Sequence, residues 1–122
     1  YTLSLHDALP ILEILKIISC VLTALVGVYA TFKPKSTVGF TGLAPEGARG
    51  VTEIRVVFGI FFIVLGLFPI IVNNLIAYQM LGYGYLLVGI ARIISIFVDK
   101  SSNTSNWQSV VFEIVFGTIL IL

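Results

Sequence analysis

Charge is what this sequence has least of. Asp, Glu, Lys and Arg make up 11% of its 122 residues, against about 25% in an ordinary soluble domain. Hydrophobic residues make up 58%, and mean hydropathy is +1.10. A water-soluble fold of this composition would have too few polar side chains to coat its surface, which points to an integral membrane protein whose first partner is the lipid bilayer. Seven basic residues against six acidic leave a net charge of +1, without the basic stripe that a nucleic-acid partner requires. Cysteine is nearly absent. Cys20 alone excludes an intrachain disulfide and a cysteine metal cluster. Histidine is equally scarce: His6 has only Asp7 near it, and a zinc site needs three or four ligands. No metal or cofactor is expected. With no histidine after residue 6 there is no Ser–His–Asp or Cys–His constellation, so the chain is read as non-enzymatic.

What is present is long apolar runs. A spanning helix needs about 20 mostly apolar residues, and four segments approach that: about 12–32, 51–72, 75–98 and 107–122. The last is about 24 Å long at helical rise, short of a ~30 Å hydrocarbon core, and is read as truncated. The runs are continuous, with no period-2 alternation, and each is too long for a barrel strand. A helix satisfies its own backbone in lipid. The expected fold is therefore all-α, a membrane-embedded four-helix bundle in a single domain over 11–122. Residues 1–10, YTLSLHDALP, break the apolar rhythm and resemble a translated sequencing-adapter read-through. They are expected to be a non-native leader and are set aside, His6 and Asp7 with them.

The connections differ. KPKSTVGFTGLAPEGARG, 33–50, is polar, basic and rich in Gly and Pro. It lacks the Gly-Lys-Ser/Thr of a phosphate-binding loop, so its glycines are read as turn residues. Pro45-Glu46 is placed to start a short helix leading into the second span. Asn73-Asn74 is a tight turn, which makes spans 2 and 3 antiparallel neighbours. DKSSNTSN, 99–106, is a short polar loop with a weak glycosylation pattern at Asn103. Loops 33–50 and 99–106 then share one side and hold Lys33, Lys35, Arg49 and Lys100. The excess of Lys and Arg puts that side in the cytoplasm and both termini on the other side of the membrane. Trp107 and Tyr78 fall near span ends, as interfacial anchors do.

Four charges interrupt the spans. VTEIR opens the second with Glu53 and Arg55, Arg92 lies near the end of the third, and Glu113 near the start of the fourth. Counted from the 33–50 and 99–106 side, all four sit about 6–10 Å in, and their formal charges sum to zero. A charge at mid-membrane costs at least about 2.5–3.5 kcal/mol, so agreement in depth points to pairing. The expectation is a charge-balanced intramembrane cluster of Glu53, Arg55, Arg92 and Glu113, organising the bundle or an interface with a membrane partner or a second copy. Two alternatives stay open: a polar site for a headgroup, small ligand or proton in an oligomeric transporter, and snorkelling to the interface. Helical spacing places Arg55 with Gly59 and Gly66, Arg92 with Tyr85 and Gly89, and Glu113 with Gly117. A further small-residue stripe joins Ser19, Thr23 and Gly27. Glu53 and Arg55 lie about 200° apart on an ideal helix and cannot both face one axis.

TEIRVVFG, GIARIISIFVDK and NWQSVVFEIVFG together resemble the membrane-protein family called domain of unknown function 4345, over about Leu12–Leu122. Its acid-before-Arg motif falls on Glu53 and Arg55, its Gly-x-x-Arg on Gly89 and Arg92, and its last-helix Glu on Glu113. Gly59, followed by Ile60, stands where the family has a glycine pair. The resemblance implies a small four-helix protein of a bacterial inner membrane and no established activity.

Overall fold

A computed structural model describes residues 5–122. The first four residues of the expected leader lie outside the described residues. Helix α1 spans Leu5–Phe32 and α2 Val38–Thr41. Helix α3 (Gly47–Glu53) runs through a π-helical turn, Ile54–Ile60, into α4 (Phe61–Val72). Helix α5 spans Leu75–Val98 and α6 Thr104–Ile121. No strand occurs among the described residues, so the fold class is all-α as expected.

Three helical stretches are long and apolar enough to cross a membrane: His6–Phe32, Gly47–Val72 and Leu75–Val98. The sequence suggested four. Helix α6 falls short because its opening TSNWQS is polar, leaving an apolar stretch of about 20 Å. The helix predicted over 75–98 is found over those residues. The first begins at Leu5, earlier than predicted, and continues through Pro10, with Asp7 in its opening turn where an acid suits the helix dipole. The second begins at Gly47 with Glu46 at its N-cap position, so the short helix anticipated at Pro45-Glu46 is continuous with the span.

The described residues form two compact units: one holds α1 up to Ser19 together with Asn74–Leu122, the other Cys20–Asn73.

In the second unit the rest of α1 packs against the Ile54–Val72 stretch through small residues. A Cβ at Gly27 would lie 2.6 Å from the Gly59 carbonyl oxygen and 2.7 Å from the Ile63 nitrogen, and one at Gly66 would lie 2.6 Å from the Ala24 nitrogen. Without those glycines the two backbones could not approach this closely. Thr23, buried to 1% exposure, and Gly27 lie on the face the sequence marked as a small-residue stripe. The segment after α1 is compact. Pro34–Thr37 forms a 3-10 turn, Gly42 closes α2 at φ 73° with its N–H on the Val38 carbonyl, and Phe40 sits against Tyr29 with ring centroids 5.8 Å apart. Asn73 ends α4 in the left-handed region, φ 49°, its N–H on the Pro69 carbonyl.

In the first unit α5 and α6 pack along their length. Gly82 and Gly117 face each other: a Cβ at Gly117 would lie 2.9 Å from the Gly82 carbonyl oxygen. Each helix has a side-chain cap that satisfies a free N–H. Asn74 accepts from the Ile76 N–H at 2.8 Å, and Asn103 accepts from the Asn106 N–H at 2.8 Å. The asparagine of the glycosylation pattern thus serves as a helix cap. Tyr78 is a correction: at 8% exposure it belongs to the buried stripe of α5 with Leu81, Gly82, Gly89 and Ile96, not to an outward anchoring belt. Trp107 is 37% exposed, edge-on to Phe97, and donates from Nε1 to the Ser102 hydroxyl.

Candidate functional site

The site begins with helical spacing. Asn106, Glu113 and Gly117 stand seven and four residues apart on α6, and Gly89, Arg92 and Ile96 three and four apart on α5, so each set lines one face. The faces meet. Arg92 Nε donates to both carboxylate oxygens of Glu113, at 2.7 and 3.0 Å, and Arg92 Nη1 donates to Asn106 Oδ1 at 3.0 Å. Asn106 is held in turn: its Nδ2 donates to the Ser101 carbonyl at 3.0 Å and to the Ser101 hydroxyl at 3.2 Å. The result is a relay from the α5–α6 connection to the buried carboxylate. Gly89 lies beside the pair, and a Cβ there would come within 2.8 Å of Ile114 Cδ1. The glycine lets the helices close enough for the ion pair to form.

Burial separates the partners. The Glu113 side chain is 9% exposed, whereas Arg92 is 34% exposed. The carboxylate is enclosed, its two oxygens sharing the Arg92 Nε–H, and the guanidinium keeps its outer edge open. A buried carboxylate stripped of its cation is strongly destabilising. Tyr85 sits on the same side of α5, edge-on to Phe116 with centroids 5.8 Å apart, so its ring packs into the helix interface.

Glu53 and Arg55 lie in the other unit, and no ion pair joins them to each other among the described residues. Glu53 accepts from Arg49 Nε and Nη2 at 3.1 and 2.9 Å, one turn back on its own helix, in a pair open to the surroundings. Arg55 Nε donates to the Thr31 carbonyl at 2.9 Å. Thr31 is in the last turn of α1, where carbonyls lack helical partners and a positive charge suits the dipole. Beside it, Gly59 packs on the Thr31 backbone. The π-helical turn begins at Ile54, between the acid and the base. Glu53 and Arg55 therefore take separate partners, as their angular separation requires.

Three participants were not anticipated. The sequence places Asn106 in a polar loop, although its seven-residue spacing from Glu113 marks the same face. Arg49 reads there as a loop charge, although Arg49 and Glu53 stand at i, i+4. The Thr31 carbonyl, a backbone group, has no sequence signal. Among the described residues no group of three His, Cys, Asp or Glu is placed to hold a metal ion.

Long apolar helices with outward Ile, Leu, Val and Phe, closed over polar groups that bond among themselves, are those of a membrane protein. Within that class the chain belongs to the family described as Domain of unknown function (DUF4345), whose model matches residues 11–122. No curated protein and no solved structure matches it.

Proposed function

We propose that this protein is a non-enzymatic, multi-pass protein of a bacterial inner membrane, in which Arg92, Glu113 and Asn106 lock α5 to α6 and so shape a surface for a membrane partner or a second copy. The observation that carries this reading is the enclosed Glu113 carboxylate, with both oxygens on Arg92. Such a pair specifies how two helices meet, because slipping either by one residue strands a charge in a poorly solvating medium. Glu53 pairs with Arg49, whereas Arg55 donates to the Thr31 carbonyl and keeps its charge, so the balanced pairing that carries this reading is that of Arg92 with Glu113. The lysine and arginine excess of loops 33–50 and 99–106 supports a cytoplasmic placement for both.

A second reading, in which the site serves ligand passage in an oligomer, is favoured by the open edge of Arg92. Stability and transport measurements separate the two. Arg92→Leu and Glu113→Gln each lower the unfolding midpoint in detergent, by the equivalent of about 3–5 kcal/mol. The double replacement by leucine recovers much of that loss. If both single variants unfold and assemble as the wild type does, the structural reading fails. Solute or proton flux in proteoliposomes that Glu113→Gln abolishes, while stability holds, establishes the second reading.

A further inference from the structure

The second unit carries a cavity that the α5–α6 site does not involve. It is open, measures about 870 Å³, and is lined by Lys35, Pro45, Gly47, Ala48, Thr52 and Arg55. Two cations therefore line one space, brought together from segments twenty residues apart, with no carboxylate among the lining residues. Arg55 commits Nε to the Thr31 carbonyl. Its terminal nitrogens and the Lys35 ammonium have no acceptor among the described residues. The nearby Glu53 carboxylate is held by Arg49. Between residues 33 and 55, Lys33, Lys35, Arg49 and Arg55 outnumber Glu46 and Glu53, a net charge of two positive. The Thr52 hydroxyl donates to the Ala48 carbonyl, so among the lining side chains hydrogen-bond donation into the space rests with the two cations.

Depth agrees with charge. Counting a ~30 Å hydrocarbon core back from Val72 reaches about Thr52. Arg55 and Thr52 thus stand at the edge of the hydrocarbon, and Lys35 and Pro45 at headgroup level. Two unneutralised like charges beside a low-dielectric layer repel each other unless an anion lies between them.

We propose that this cavity binds a phosphate group, presented by an anionic phospholipid or as free phosphate, with Arg55 supplying paired donors and Lys35 a point charge. Recognition rests on side-chain cations, in a loop without the Gly-Lys-Ser/Thr of a phosphate cradle.

The test uses the intact protein in mild detergent. Native mass spectrometry follows retention of phosphatidylglycerol against phosphatidylcholine, and thermal unfolding is followed with added inorganic phosphate. Wild type retains phosphatidylglycerol preferentially, or is stabilised by phosphate. Lys35→Glu and Arg55→Gln weaken that response about tenfold, and Lys100→Glu, outside the cavity, leaves it intact. Lipid retention without a phosphate effect identifies a headgroup, and stabilisation by phosphate alone identifies the free anion. Because Arg55→Gln also uncaps α1, Lys35→Glu decides. A Lys35→Glu protein that responds as the wild type does, or a wild type that responds to neither probe, overturns the proposal. The Arg92/Glu113 double leucine variant keeps the response, which separates this outcome from that of the α5–α6 lock.

Discussion

Asn106 shows how much one polar side chain changes when its surroundings close over it. Its carboxamide accepts from Arg92 and donates to Ser101, and its backbone N–H is capped by Asn103. Removing such a group leaves a guanidinium nitrogen and a carbonyl without partners at a half-buried site. Asn106→Ala should therefore cost about 1–3 kcal/mol. Arg49→Ala, which removes a pair whose side chains are 84% and 49% exposed, should cost about 0–1 kcal/mol. Equilibrium unfolding of both variants in one detergent checks the contrast, and equal losses would mean that enclosure is not what gives the Arg92 network its weight. The charged members of that network were legible in advance because ionisable residues are rare in apolar runs. Asn106 was not, since an asparagine in a polar loop carries no such contrast.

At the scale of helices, glycine decides which faces meet. Helix α5 contains a pair of glycines two residues apart with opposite surroundings. A Cβ at Gly82 would come within 2.8 Å of Leu120 Cβ and 3.0 Å of the Gly117 carbonyl oxygen, whereas one at Gly84 meets nothing within 4 Å. Alanine is intrinsically better in a helix by about 0.8–1.0 kcal/mol, so Gly84→Ala should stabilise slightly. At Gly82 the same change forces α6 away and should destabilise by about 1–3 kcal/mol. Thermal unfolding that moves both variants in the same direction would contradict this packing. Helix positions were predictable because each apolar run is long and bounded by polar residues. The π-helical turn at Ile54–Ile60 was not, since no proline or glycine pair marks its start.

For the molecule as a whole, the proposed orientation in the bilayer is directly testable. Placing loops 33–50 and 99–106 together in the cytoplasm yields a direct expectation. In a Cys20→Ser background, cysteines introduced at Lys33 and Ser102 should react with an impermeant maleimide only in inverted membrane vesicles, and one at Asn74 only in intact spheroplasts. Labelling of Asn74→Cys from the same face as Lys33→Cys would refute the arrangement. Composition and run length were sufficient for the all-α class and for three of the four expected spans, because lipid tolerates few alternatives to an apolar helix. They were sufficient also for the faces carrying Arg92 and Glu113, because helical periodicity is regular. The choice of partners was settled by folding. Arg92 with Glu113 and Arg55 with a backbone carbonyl depend on where close-packed glycines let two helices approach, a property of the assembled helices, whereas Glu53 with Arg49 is an i, i+4 pair on one helix.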